Sequence, residues 1–170
     1  MELTLHPYIS EVLREASSSY FQCFLLFLFS MFPITECRLT IPFGILVFGL
    51  PWYLVFFICV VSNAIVGVFL VFALDRLIDL FSRLDFFKNL IEKLIYASKG
   101  KYQKYNRFKS SGLVLFVGIP LPGTGAWTGA LVSYVIGLHK GISMISIVQG
   151  VILSGIIMTI LSLTGKAIVL

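Results

Sequence analysis

Charge is scarce in this sequence: only 12% of its 170 residues are Asp, Glu, Lys or Arg. A soluble globular domain carries about 25%, so most of this chain has no means of wetting a surface, and a water-soluble enzyme or binding module is excluded. Histidine is nearly absent, with His6 and His139 both peripheral, and no His-Glu-x-x-His or Gly-x-Ser-x-Gly motif occurs. Cys23, Cys37 and Cys59 fall in apolar stretches without metal-ligand spacing, the pattern of small buried hydrophobes. The sequence therefore predicts no enzyme, no metal site and no cofactor.

What the chain has instead is hydrophobicity, at 58% of residues, in runs that no charge interrupts. These runs lie between Ala16 and Thr35, Leu39 and Leu74, Ser110 and His139, and Gly141 and Gly165. An integral membrane protein follows. The net charge of +5 is concentrated between Asp75 and Lys109, where nine Lys or Arg face four Asp or Glu. The positive-inside rule makes that stretch a cytoplasmic loop. The segment before Tyr20 holds Glu2, Glu11 and Glu15 against Arg14 and is expected outside, as is the C-terminus. A basic stretch held between membrane segments argues against nucleic acid as a partner. The apolar run from Phe21 leads into Pro-Ile-Thr-Glu-Cys-Arg rather than a small-residue cleavage site, so it reads as retained and not as a signal peptide.

A spanning helix needs about 20 residues at 1.5 Å each to cross a core of about 30 Å. Residues 51–74 make one crossing, opened by Pro51 in the first turn, where its missing N–H is harmless. Residues 39–50 reach only about 18 Å and cannot cross. Pro120 and Pro122 likewise divide 110–139 into short pieces, the second being Ala126–Leu138. Short apolar helices broken by Pro and Gly at membrane depth are re-entrant hairpins. The expected architecture is an all-α integral membrane protein with a single membrane domain. Repeat one (about 19–74) is a hairpin over 19–50 and a crossing over 51–74. Repeat two (about 110–165) is a hairpin over 110–138 and a crossing over 141–165. With one hairpin entering from outside and the other from the cytoplasm, these are inverted-topology repeats. A shift of 88 residues lays Gly49-Leu50 on Gly137-Leu138 and Gly67 on Gly155. Between the repeats, Leu77, Phe81, Leu84, Phe87, Ile91 and Leu94 recur every three or four residues, predicting a cytoplasmic amphipathic helix. Lys99, Lys101, Lys104, Arg107 and Lys109 follow it as orientation anchors or as contacts for membrane lipids with anionic headgroups.

The only charges sandwiched between membrane-embedded segments are Glu36 and Arg38, in Pro33-Ile-Thr-Glu-Cys-Arg-Leu-Thr-Ile-Pro42. An ionisable residue at depth is costly and marks a functional site by default. Lipid burial disfavours the Glu36 carboxylate and Arg38 favours it, the setting that suits a proton-coupling residue. Two residues apart on an extended turn, the pair need not face each other. The second bend, Gly118-Ile-Pro-Leu-Pro-Gly-Thr-Gly-Ala-Trp-Thr-Gly129, carries no charge, but Gly123 and Gly125 leave backbone N–H groups accessible. Thr124 is the expected N-cap of the half-helix after it, and Thr40 of one starting at Pro42. Two such ends and the Arg38 fork favour an anionic headgroup. Trp127 lines the cavity or packs, and Asn63 and Gln149 are expected to face inward, as substrate contacts or interhelical hydrogen bonds.

At these bends, Pro33-Ile-Thr-Glu-Cys-Arg-Leu-Thr-Ile-Pro-Phe-Gly44 and Ile119-Pro-Leu-Pro-Gly-Thr-Gly-Ala-Trp-Thr-Gly-Ala130, the chain resembles the small multidrug export protein family, a group of short prokaryotic membrane proteins. The resemblance covers roughly residues 30–165 and implies a prokaryotic plasma (inner) membrane location. More distantly the chain is similar to DedA and VTT-domain proteins, which pair re-entrant hairpins with an intramembrane acidic residue and arginines. That likeness implies movement of lipids or polyprenyl phosphates between leaflets with proton coupling, Glu36 matching the acidic position and Arg38 its basic neighbour. The departure is that Pro122–Trp127 carries no arginine where the DedA group has them.

The sequence thus points to a proton-coupled transporter of an amphipathic anionic substrate such as a polyprenyl phosphate or phospholipid. Glu36 is the proton-coupling residue, and Arg38, Thr40, Asn63, Gly123, Thr124, Gly125 and Trp127 are the substrate-binding candidates. A proton-coupled small-molecule exporter and a non-transporting membrane scaffold are the rivals. A chain with two full crossings leaves room for a homodimer, with no interface legible in the sequence.

Overall fold

Proline and glycine cut the apolar sequence where the length arithmetic requires. The computed structural model describes residues 5–81, 106–121 and 123–169, and the regular structure among them is helical. The first helix, α1 (Leu5–Met31), stops before Pro33, because proline drives the residue ahead of it out of the helical region. After the bend 32–35 comes α2 (Glu36–Pro42), with Pro42 inside its last turn. Proline offers no N–H and displaces the carbonyl one turn back. The chain continues as a wider π-helical turn, Phe43–Val47, which accommodates that displacement. Gly49, at φ 65°, turns the chain, and α3 (Trp52–Phe81) starts directly after Pro51.

The second half has the same order of parts. Helix α4 (Asn106–Gly118) leads through the bend 119–125 to α5 (Ala126–Val135), and Gly137, at φ 63°, turns into α6 (Lys140–Val169). The shift of 88 residues carries both ends of α3 onto both ends of α6. Close contacts give the directions. Leu26 packs at Gly44 and Ser30 meets Cys37, so α1 runs antiparallel to α2 and its π turn. Ile147 sits at Gly67 and Val60 at Gly155, so α3 and α6 are antiparallel. Ser110 bonds Ser146 and Val117 sits at Gly150, so α4 and α6 are parallel.

The core joins Ile41, Ile45, Val55 and Cys59 from the first half to Val117, Ala126, Ala130, Ile147 and Val151 from the second. Two helices are long and apolar enough to cross a membrane, Trp52–Leu74 and Lys140–Ala167, the lengths expected from the sequence. Helices α1 and α3 overrun their expected apolar limits, from Leu5 and to Phe81 respectively. Charged side chains end a membrane segment without ending a helix, since Arg, Lys and Glu are good helix formers. Most of the expected cytoplasmic amphipathic helix, and the lysines from Lys99 to Lys104, lie outside the described residues.

Candidate functional site

The two bends meet. Glu36 opens α2 with its side chain 6% exposed, and its carboxylate lies at the N-terminal end of α5. The backbone N–H of Trp127 donates to Glu36 Oε1 at 3.4 Å, with the Ala126 N–H beside it. A helix N-terminus carries unsatisfied N–H groups and partial positive charge, so the carboxylate is held by the end of a helix from the other half. The approach requires Gly125: a Cβ there would land on the Glu36 carboxylate. Glu36 itself sits at φ 39°, in the left-handed region that non-glycine residues avoid.

Arg38 ties the same two bends from the other side. Its Nη1 donates to the Leu121 carbonyl and its Nη2 to the Thr124 carbonyl, and Nη2 also reaches Thr124 Oγ1 at 2.9 Å. Arg38 Nη2 lies 3.8 Å from Glu36 Oε2. Trp127 adds a further tie, its indole Nε1 donating to the Met31 carbonyl at the end of α1 at 3.0 Å. Behind Glu36 is a polar cluster in the core. Cys37 Sγ donates to the Cys59 carbonyl at 3.2 Å and accepts from Asn63 Nδ2 at 3.2 Å, while Ser30 Oγ donates to the same carbonyl at 2.9 Å. Two buried polar atoms, Arg38 Nε and Asn63 Oδ1, have no partner among the described residues.

The structure thus gathers Glu36, Arg38, Thr124, Gly125 and Trp127 into one junction, and corrects several expectations in doing so. Glu36 and Arg38, whose pairing the sequence left open, lie 3.8 Å apart. The N-cap of α5 is Gly125, not Thr124; the Gly125 N–H donates to Thr128 Oγ1 at 2.8 Å. Thr124 Oγ1 instead donates within its own bend, to Ile119 and Leu121 carbonyls. Thr40 is not an N-cap either. It sits inside α2, its hydroxyl donating to the Glu36 carbonyl, since the π turn lets the helix pass through Pro42 rather than start there. Gly123, at φ 83°, shapes the bend and is exposed. Asn63 reaches the junction only through Cys37. Gln149 faces outward rather than inward. The backbone carbonyls of Met31, Leu121 and Thr124, all used here, carry no signal in a sequence.

Along α2 and the turn after it, Phe29, Thr35, Leu39, Thr40 and Phe43 line a cavity of about 540 Å³. It opens toward the outside of the helix bundle, where Leu39 and Phe43 are exposed, and it contains no charged side chain. Neither a curated protein nor a solved structure matches the chain. The small multi-drug export protein family matches it over residues 36–157, from Glu36 at the start of α2 through the second bend and into α6. That stretch is more than half of the chain and contains the whole Glu36–Arg38–α5 junction, so the chain belongs to the small multi-drug export protein family.

Proposed function

We propose that this protein is a proton-coupled membrane exporter of small lipophilic molecules, with Glu36 as the coupling group. The observation that carries the reading is the junction at Glu36. One buried carboxylate joins the first bend to the end of α5, beside an apolar cavity that opens laterally. Protonating Glu36 removes its attraction to Arg38 and to the α5 N-terminus, so a single proton loosens the contact between the two halves. We read those halves as inverted-topology repeats with the α1–α2 and α4–α5 hairpins dipping into the membrane. The shared 88-residue shift and the antiparallel α3–α6 pair support that reading. Rocking one half against the other around a midplane site is the usual consequence of such a plan.

An anionic amphiphile, polyprenyl phosphate or phospholipid, is the second reading, and one observation favours it: the buried Arg38 Nε–H has no partner among the described residues. Such a substrate has to displace Glu36 from the end of α5, which protonation of Glu36 allows. Reconstituted vesicles with an imposed pH gradient test both readings, using a lipophilic cation in one series and a polyprenyl phosphate in the other. Gradient-driven movement of the cation, lost in Glu36→Gln, is the expected result. Movement of the phosphate alone selects the second reading. Movement equally gradient-driven in Glu36→Gln removes Glu36 from the coupling. No movement of either, in folded protein, favours a membrane scaffold.

A further inference from the structure

The exposed face of α6 differs from that of α3. Ile145, Gln149, Ile152, Ile156, Ile160 and Leu163 are all exposed, and their spacings of four, three, four, four and three residues place them in one narrow stripe. The opposite face of α6 is committed within the chain: Ile147 packs on Gly67, Gly155 on Val60, and Gly150 on Val117. The stripe has the apolar seam of a two-helix coiled contact, with β-branched residues dominating and a single polar residue within it. Gln149 makes no hydrogen bond among the described residues. It lies about 14 Å along the helix from Lys140 at 1.5 Å per residue, close to the middle of a core of about 30 Å. An amide facing hydrocarbon there has no water to bond. The corresponding face of α3, with Phe57, Val61, Ile65, Phe69 and Phe72 exposed, carries no such group.

We propose that this stripe is the interface between two copies of the chain, with the Gln149 side chains hydrogen-bonded to each other across a two-fold axis. A primary amide both donates and accepts, so two-fold symmetry makes it its own complement, which is what an isologous interface requires. A lipid tail offers the amide nothing, and a different protein would need a matching polar group at the same depth. The inference rests on the membrane location of α6 and is independent of what the protein transports.

Cysteine cross-linking of the full chain in lipid vesicles tests it, in a background with Cys23→Ser because Cys23 is only half-buried. Ile145→Cys, Ile152→Cys and Ile156→Cys should each give a cross-linked dimer. Leu161→Cys, exposed on another side of α6, should not. Energy transfer between labelled chains, titrated against lipid, should show Gln149→Leu associating about 3- to 10-fold more weakly, as for loss of an interhelical hydrogen bond in a membrane. Gln149→Asn should retain most of the association. Cross-linking equal at Leu161→Cys, or Gln149→Leu associating as well as the parent, overturns the proposal. The cross-linking series keeps Gln149 and decides the matter even if Gln149→Leu fails to fold.

Discussion

Glu36 carries two costs in one residue. Its carboxylate is buried, and its backbone lies at φ 39°. A non-glycine residue in the left-handed region gives up about 1–2 kcal/mol, so the ties to Trp127 and Arg38 must hold it there. This separates the backbone from the side chain in a mutational test. Glu36→Gly and Glu36→Ala both remove the carboxylate, but only glycine is at ease at positive φ. Glu36→Gly should be the more stable of the two by about 1 kcal/mol, read by thermal unfolding in detergent; equal stabilities would remove the strain account. Arg38 is a second residue-scale case. Its two Nη groups reach carbonyls of the second bend and the Thr124 hydroxyl, a forked geometry that lysine cannot reproduce. Arg38→Lys should lose about 1–3 kcal/mol of stability, and a Thr124→Val change should cost less in that background than in the native one. Additive effects of the two changes would show that the Arg38–Thr124 contact contributes nothing.

At the scale of helices, small residues decide how closely α3, α5 and α6 approach. A Cβ on Gly67 would stand 2.7 Å from Ile147 Cγ2 and 3.2 Å from the Ala126 Cβ. Gly67→Val should therefore destabilise by about 1–3 kcal/mol through overpacking. Gly112, within α4, has nothing within 4 Å of its would-be Cβ. There alanine reduces the freedom of the unfolded chain and obstructs nothing, so Gly112→Ala should stabilise by about 0.5–1 kcal/mol. Denaturation midpoints of the two variants should move in opposite directions. A destabilised Gly112→Ala would mean that this side of α4 is covered by something other than lipid. The α1–α2 and α4–α5 pairs were legible as pairs because prolines punctuate them. The lengths of α1 and α3 were less legible, because α1 begins at Leu5 and α3 runs to Phe81, past the charges that bound the apolar runs.

At the scale of the whole molecule, the proposed plan of two re-entrant hairpins and two crossings has a topological consequence. If the first hairpin enters from outside and turns back, its tip never reaches the cytoplasm. Ile34, at that tip, is 86% exposed in the isolated chain. Ile34→Cys should resist a membrane-impermeant thiol reagent applied from the cytoplasmic side, while a cysteine placed in the basic stretch 75–109 reacts. Labelling of Ile34→Cys from the cytoplasm would mean that the hairpin spans. The junction between the tips of the two hairpins also explains why Glu36 was found from sequence and its partners were not. An acid between apolar runs stands out in composition, whereas the end of α5 and the Leu121 and Thr124 carbonyls are backbone groups contributed from more than eighty residues away.

The sequence by itself determined that this is a membrane protein, where its helices break, and which two ionisable residues lie among apolar segments. Each of these follows from local chemistry: scarce charge, apolar run length, and prolines without N–H groups. Only the tertiary structure decided that Glu36 occupies the helix end that the sequence appeared to offer to a ligand. It alone showed that Thr124 and Thr40 are not caps, and that Gln149 points away from the core while Asn63 points into it. A helix that is apolar all round has no periodic signal to say which side is inside. For α3 and α6 that choice is made by the close approach of glycines to the neighbouring helices, and it exists only once those helices have met.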